Sequence, residues 1–254
     1  MKIGLALSGG GTLGIAHVGA LRQLENFTKI DAICGVSAGA IAGLLYAFGG
    51  TAAVDEFYAE LMSTNLFSPK NIITLRSPEK IFSYVESILE KIVTIDDFND
   101  LPIKFSCIAA NIETAEPALL NKGNPIKAVM ASAAYPGVFP VQVIGREKFI
   151  DGGVTINMPV TPLLRQNMDF IIASSVISLS KFAYHKKTSR AKVVTRAIEI
   201  MENHLNVLEL AQANFVFKPP VGQYYWFNFS KLAHIKEIGE KYAKKRINDL
   251  RITI

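Results

Sequence analysis

Three short segments of the chain contain the residue types that acyl-transfer chemistry requires. The first reads Gly35-Val36-Ser37-Ala38-Gly39, a G-x-S-x-G pattern. A predicted strand precedes it and a predicted helix rich in small residues follows it, an arrangement that projects a serine hydroxyl at a helix N-terminus. The pattern predicts Ser37 as a nucleophile, with glycines on both sides because so tight a turn has no room for side chains. The alternative is a glycine-rich turn with an incidental N-cap serine.

The second segment is the glycine loop Gly9-Gly10-Gly11-Thr12-Leu13-Gly14, which follows the first predicted strand. Consecutive backbone N–H groups at a helix N-terminus bind negative charge, which in acyl transfer is the oxyanion of the tetrahedral intermediate. The same glycines also fit the fingerprint G-x-G-x-x-G, which makes a dinucleotide-binding protein the alternative. That fingerprint requires an acidic residue at the end of the second strand. This chain has Ser37 there, whereas Asp31 stands at the beginning of the strand.

The third segment is Asp151-Gly152-Gly153, at the end of a predicted strand. An isolated Asp-Gly pair usually marks a turn, so Asp151 becomes a candidate base only together with the other two segments. A Ser-His-Asp triad would also need a histidine. We expect His17 to pack within its helix, but three histidines that follow Asp151 leave a triad open: His185, His204 and His234.

The elements that must position these segments alternate between strands and helices along the chain. Apolar runs and flanking turn residues predict strands at Lys2–Ser8, Ile30–Val36, Ile103–Asn111, Val138–Ile144, Lys148–Ile150 and Asp169–Val176. Helical periodicity predicts helices at Ile15–Phe27, Ala38–Phe48, Ala52–Leu66, Ser77–Val93, Pro125–Ala134, Lys192–Asn214 and Leu232–Leu250. Residues 176–189 are predicted to form a loop. Such alternation predicts an α/β protein with a mainly parallel sheet covered on both faces.

The composition limits the class of protein. The chain has 254 residues, of which 50% are hydrophobic and 19% charged, and this excludes a disordered or low-complexity protein. Its two cysteines are too few for a disulfide framework or a zinc site. The apolar run at the N-terminus is too short for the core of a signal peptide. These observations predict a cytoplasmic protein.

Two features of the sequence bear on contact with membranes or nucleic acid. Residues 32–54 carry no charge and are long enough to span a bilayer, but five of them are glycine, and a strand, a tight turn and a buried helix explain the same run. The formal net charge of +5 is concentrated within residues 181–196 and 231–251. We interpret these clusters as solvated faces, with peripheral contact to an anionic membrane as a further hypothesis. Nucleic acid is not an expected partner because no recognisable binding motif is present.

The three segments resemble, in the same order, the signatures of patatin-like phospholipases. The segment Ala131–Pro140 is similar to that family's S-A-x-x-P-x-x-F-P motif. The resemblance covers about residues 3–175, whereas the part from about 188 to 254 is predicted to be helical and resembles no family that we identify. We expect a single domain over residues 1–254.

The resemblance implies a three-layer α/β/α sandwich and a Ser-Asp dyad without a catalytic histidine. In that dyad Ser37 would be the nucleophile and Asp151 the general base. The loop would supply oxyanion-hole N–H groups from Gly9, Gly10 and Gly11. The glycines that support the motifs would be Gly14, Gly35, Gly39, Gly152 and Gly153.

The resemblance also implies a lipid acyl ester as substrate, with neither a metal nor a cofactor, because the family hydrolyses such esters without calcium. An apolar acyl groove would lie beside Ser37, lined by helices between residues 38 and 93. One position departs from the family pattern: Leu13 stands where the family often has arginine or lysine. A catalytically silent lipid-binding module is the remaining alternative, since intact motifs do not establish turnover.

Overall fold

The structure is a computed structural model that describes residues 1–63, 78–177, 179, 182, 184–186 and 188–253. The strands are β1 Ile3–Leu7, β2 Ala32–Val36, β3 Lys104–Asn111, β4 Glu116–Leu120, β5 Gln142–Ile144, β6 Glu147–Asp151, β7 Phe170–Ser174 and β8 Phe215–Phe217. The helices are α1 His17–Glu25, α2 Ala38–Ser63, α3 Pro78–Ile92, α4 Pro125–Ser132, α5 Val160–Arg165, α6 Arg190–Leu210 and α7 Leu232–Thr253.

The strands form one mixed, mostly parallel sheet between two layers of helices. The strand order is β5-β6-β3-β2-β1-β7-β8, with β4 paired to β3. The pairs β1–β2, β1–β7, β2–β3 and β7–β8 are parallel, whereas β4, β5 and β6 pair antiparallel. Alternate residues of the central strands point to opposite faces: Leu5 and Ile33 pack among the helices α1, α2, α3 and α7, and Ala6 and Cys34 pack against α5. The predicted α/β/α sandwich is therefore confirmed.

The pairing of β3 explains how two distant motifs meet. On one side of β3, β4 pairs with residues 107–111. On the other side, β2 pairs with residues 104–108 and β6 continues the ladder over residues 109–111. Val36 of β2 lies opposite Ile108, and Asp151 of β6 lies opposite the next residue, Ala109. The C-terminal ends of β2 and β6 therefore meet, and Ser37 follows directly after β2.

Helix α2 begins at the serine turn and accounts for the long uncharged run. It is apolar and long enough to cross a membrane, but 61% of its most apolar stretch is buried inside the protein. Gly43 lies so close to the sheet that a Cβ atom there would be 3.1 Å from the Cγ2 of Ile33. The backbone leaves helical geometry at Gly49 and Gly50, so α2 consists of two helical segments joined at a kink, as the two separately predicted helices require. Packing on the sheet explains its small and apolar residues.

Several boundaries differ from the predictions. The strand predicted over Val138–Ile144 is reduced to β5, because the backbone turns at Tyr135 through hydrogen bonds from the N–H groups of Val138 and Phe139. Three short elements were not predicted: β4, α5 and β8. Residues 64–66 and Ser77, at the ends of two predicted helices, lie outside the described residues, as does part of the predicted loop at 176–189.

Candidate active site

Ser37 occupies the turn between β2 and α2 in a conformation that side chains rarely adopt. Its φ angle is 53°, in the left-handed region, which for a residue other than glycine marks strain that the surroundings must maintain. Its carbonyl accepts hydrogen bonds from the N–H groups of Ala40 at 2.9 Å and Ile41 at 3.1 Å. The side chain thus stands at the N-terminus of α2, where the helix dipole favours negative charge. This is the geometry of a nucleophile elbow.

The two glycines that flank the elbow are required by close backbone contacts. A Cβ atom on Gly35 would lie 2.4 Å from the carbonyl oxygen of Gly39, and one on Gly39 would lie 2.4 Å from the carbonyl oxygen of Leu7. Both distances are far below van der Waals contact with backbone atoms that have no room to move. The G-x-S-x-G spacing is therefore a packing requirement of this turn.

Hydrogen bonds to Ser132, the last residue of α4, hold the elbow in place. The Ser132 Oγ accepts the backbone N–H of Ser37 at 2.9 Å and donates to the carbonyl of Ile108 at 2.6 Å. The side chain is fully buried. The strained backbone of Ser37 is thus tied to β3 through one hydroxyl group.

We expect the substitution Ser132→Ala to lower both stability and any activity that depends on Ser37. It leaves two buried backbone groups without this partner, a loss of about 1–3 kcal/mol in the free energy of unfolding. Thermal unfolding would measure the loss. Ser175→Ala is the matched control, since the Ser175 hydroxyl is buried but has no hydrogen-bond partner among the described residues. Equal melting temperatures for the two variants would contradict the anchoring role of Ser132.

Asp151 is the last residue of β6 and is 2% exposed. Its carboxylate accepts the N–H of Gly153 at 2.8 Å, and its own N–H donates to the carbonyl of Ala134 at 2.9 Å. Burial raises the pKa of Asp151 to about 6, although hydrogen bonds from the Ser37 side chain and the Gly153 N–H lower it. The carboxylate therefore lies close enough to the Ser37 side chain for that side chain to influence its pKa, and it is still charged at neutral pH.

The glycine loop presents fewer N–H groups than the sequence predicts. The N–H of Gly9 donates to the carbonyl of Asn157 at 3.2 Å and to its side-chain Oδ1 at 2.9 Å, so it is already satisfied inside the protein. Within the described part of the chain, the N–H groups of Gly10 and Gly11 have no such partner. Gly11 has a φ of 56°, and a Cβ atom there would lie 2.4 Å from the carbonyl of Trp226. The predicted set of anion-binding donors therefore narrows to Gly10 and Gly11.

A cavity of about 180 Å³ opens above these groups. The glycine loop, Ser37 and Asp151 are among the polar groups that line it. Its apolar wall comes from α2 and α3, the helices from which the sequence predicted an acyl groove: Ile41, Phe57, Leu61, Ile81 and Val85. A second wall consists of aromatic residues from two loops: Tyr135, Phe139, Tyr224, Tyr225, Trp226, Phe227 and Phe229.

The structure does not bring a histidine to Ser37. His17 is fully buried, with its Nδ1 2.8 Å from the Ser174 Oγ and its Nε2 3.0 Å from the carbonyl of Ser8. Burial lowers the pKa of His17 to about 4, so the ring is neutral and bridges β1 and β7. Among the described residues that line the cavity there is no histidine. The described lining of the cavity therefore supplies no histidine for a triad with Ser37.

The acidic residue of the dinucleotide hypothesis is also in the wrong place. The carboxylate of Asp31 accepts the N–H of Ile3 at 2.8 Å. Ile3 begins β1, whereas the glycine loop follows the C-terminal end of that strand. Asp31 therefore lies at the N-terminal end of β1, at the opposite edge of the sheet from the glycine loop. It does not reach the ribose of a dinucleotide bound at that loop.

The sequence analysis did not identify four residues that line the cavity together with Ser37 and Asp151. Asn157 binds the glycine loop, as described above. The carbonyl of Trp226 accepts a hydrogen bond from the N–H of Thr12 at 2.7 Å. This bond holds the glycine loop at Thr12, whereas Asn157 holds it at Gly9. Helix α6 contributes Arg196 and Glu202. This chain has Leu13 where the family often has arginine or lysine, but Arg196 brings a cation to the cavity from α6. Arg196 forms an ion pair with Glu199 at 2.9 Å.

The fold and the site together define an α/β protein built around a serine elbow with an adjacent buried aspartate. The family model of the patatin-like phospholipases matches residues 5–164. The chain belongs to the patatin-like phospholipase family, whose members are generally lipid acyl hydrolases.

Relatives within this family share modest sequence identity with the chain. Lysophospholipase NTE1 of Candida albicans is 26% identical over 273 residues, which include 95% of this chain but only 20% of that protein. An uncharacterized NTE family protein of Mycobacterium bovis is 29% identical over 186 residues, 69% of this chain and 49% of that protein. The chain thus spans about a fifth of the length of the curated lysophospholipases that it matches.

A solved structure supports the fold. The crystal structure of VipD from Legionella pneumophila superimposes with a TM-score of 0.60 at 14% sequence identity. The similarity covers 98% of this chain and 67% of that protein. At this identity the similarity concerns the architecture alone.

Proposed function

We propose that this protein is a serine hydrolase that cleaves fatty acyl esters of lipids with a Ser37–Asp151 dyad. The observation that supports the proposal is that Ser37, in its elbow, and the buried Asp151 line one largely apolar cavity, with the Ser37 side chain close enough to influence the pKa of Asp151. Free aspartate is a weak base at neutral pH. A pKa of about 6 makes Asp151 a better proton acceptor while it stays ionised at pH 7.

In the proposed mechanism the Ser37 oxygen attacks the ester carbonyl carbon and its proton passes to Asp151. The carbonyl oxygen becomes an oxyanion, which accepts hydrogen bonds from the N–H groups of Gly10 and Gly11. The bond to the alcohol then breaks, and Asp151 returns the proton to the leaving oxygen. A water molecule, deprotonated by the same carboxylate, attacks the acyl-Ser37 ester. The bond to the Ser37 oxygen breaks, Asp151 returns the proton to that oxygen, and the fatty acid is released.

We infer that the acyl chain lies along the apolar wall of α2 and α3. Such a wall excludes water and binds a hydrocarbon chain by the hydrophobic effect. The relatives named lysophospholipases support a single-chain phospholipid as the first substrate to test. The direct test is mass-spectrometric measurement of fatty acid released from lysophospholipid micelles, with a non-hydrolysable ether analogue as the control.

Under this mechanism the rate should fall in acid as Asp151 becomes protonated. We expect kcat/KM to decrease about tenfold per pH unit below an apparent pKa of about 6. The measurement is kcat/KM for an uncharged ester between pH 4.5 and 7.5 at two temperatures. Carboxyl ionisation changes little with temperature, whereas imidazole ionisation changes strongly. If the apparent pKa of this fall in kcat/KM shifted with temperature as the pKa of an imidazole does, the assignment of Asp151 as the base would be contradicted.

A further inference from the structure

Helix α6 contributes a buried carboxyl group that the proposed mechanism does not use. Glu202 is 9% exposed and lines the cavity together with Ser37 and Asp151. A buried acid without a cationic partner is costly to a fold. Arg196, the cation of the same helix that lines the cavity, is paired with Glu199. The cost of burying Glu202 therefore indicates that this residue has a function in the site.

The first set of contacts connects Glu202 to the glycine loop. The Asn157 side-chain amide donates to the Glu202 Oε2 at 3.3 Å. The other end of the same amide, the Oδ1 of Asn157, accepts the N–H of Gly9 at 2.9 Å. Gly9 adjoins Gly10 and Gly11, the two proposed oxyanion donors. Glu202 thus orients the amide that holds the loop.

The second set of contacts places Glu202 beside Asp151. A Cβ atom on Gly153 would lie 3.0 Å from the Asp151 Oδ1 and 3.1 Å from the Glu202 Oε1. The two carboxyl groups therefore pack against one glycine, and a side chain there would separate them. Burial, and then the negative charges of Asp151 and Glu199, raise the pKa of Glu202 to about 8. At neutral pH the pair carries one charge, on Asp151, and one proton, on Glu202.

We infer that Glu202 is a positioning residue of the acyl-transfer site, which acts through Asn157 on the glycine loop and through its protonation state on Asp151 and the oxyanion. This inference rests on the proposed function. While protonated, Glu202 fills its place without adding charge. Once ionised, it places a second negative charge in a cavity where the reaction must develop an oxyanion, which slows the attack of Ser37.

The other titratable groups around Glu202 come from several elements. Asp151 faces it from β6, Glu199 and Arg196 lie on α6, and aromatic hydroxyls come from the loops after α4 and before α7, on Tyr135 and Tyr225. Burial and the neighbouring carboxylates raise the pKa of both tyrosines. They therefore stay neutral in the pH range where Glu202 ionises.

The test is the rate at which a fluorophosphonate modifies Ser37 between pH 5 and 9.5. The substitution Glu202→Gln retains an oxygen acceptor for Asn157 but cannot ionise. We expect the wild-type rate of modification to fall at least about fivefold between pH 7 and 9.5. The rate of Glu202→Gln should remain level over that range. Both proteins should show the same fall in rate at low pH, where Asp151 becomes protonated. Glu202→Leu also loses the acceptor and should react about tenfold more slowly at pH 7, a loss that Glu202→Gln avoids.

Glu209→Gln is the matched control, because Glu209 is also a glutamate of α6 that accepts backbone N–H groups, those of Val160 and Thr161. It should keep the alkaline limb of the wild type. An alkaline limb that persists in Glu202→Gln, or one absent from the wild type, overturns the inference while the proposed function stands. A wild-type protein that never reacts overturns the proposed function, and the inference with it. Glu202→Gln decides the question even where Glu202→Leu does not fold.

Discussion

The substitution Ser37→Ala should abolish lipid ester hydrolysis, with a loss in kcat of at least about 10⁴-fold. Without the hydroxyl group no acyl-enzyme forms, and the remaining N–H donors stabilise only the attack of water. The change removes one oxygen atom from a residue whose backbone contacts come from α2 and from the Ser132 Oγ. The fold should therefore survive. The measurement is fatty acid release from a lysophospholipid, together with the melting temperature.

Ser175→Ala is the matched control for this prediction. Ser175 is a second buried serine at the same edge of the sheet, but it does not line the cavity. The activity of the Ser175→Ala variant should remain within about twofold of the wild-type activity, because the substitution removes no contact with the reacting atoms. Hydrolysis retained by Ser37→Ala would remove Ser37 from the mechanism.

The substitution Asp151→Asn should separate activity from stability. An amide still accepts the Gly153 N–H but cannot take the Ser37 proton, so we expect a loss of about 10³–10⁴-fold in kcat. The pKa of Asp151 is higher in the folded protein, about 6, than in an unfolded chain. Its contribution to stability is complete below about pH 4 and is lost as the pH rises through 6. At pH 8 the variant should therefore melt at least about 4 °C higher than the wild type.

Asp31→Asn provides the comparison for Asp151→Asn. Asp31 also accepts a backbone N–H, that of Ile3, but at the opposite edge of the sheet. The Asp31 variant should hydrolyse the substrate at the wild-type rate. If Asp151→Asn kept full activity, a charged base at this position would be ruled out. A variant less stable than the wild type at pH 8 would contradict the raised pKa of Asp151.

The elements that carry the motifs were predictable because their signals are local. Strands β1 and β2 are short apolar runs that end in glycine-rich turns, and such turns have few conformational alternatives. The close approaches at Gly35 and Gly39 show why the spacing around Ser37 tolerates no other residue. Asp151 was predictable only together with the other two segments and the family resemblance that they carry, since an Asp-Gly pair by itself indicates a turn.

The remaining site residues were not predictable because their positions depend on long-range packing. Gly9 is removed from the donor set by Asn157, which lies 148 positions further along the chain. Helix α6 reverses the usual helical pattern: Met201, Val207 and Leu208 are exposed, whereas Glu202 and Asn206 are buried. Periodicity places the apolar residues of a helix against the core, so it gave no reason to place Glu202 in the cavity.

The central claim is that Ser37 is an activated nucleophile, and the most direct test is intact-protein mass spectrometry after incubation with a fluorophosphonate. We predict one covalent adduct on the wild-type protein, mapped to the peptide that contains Ser37, and none on Ser37→Ala. Asp151→Asn should react at least about a hundredfold more slowly, because the hydroxyl then lacks its base. A folded wild-type protein that remains unmodified, or an adduct on another residue, would contradict the account.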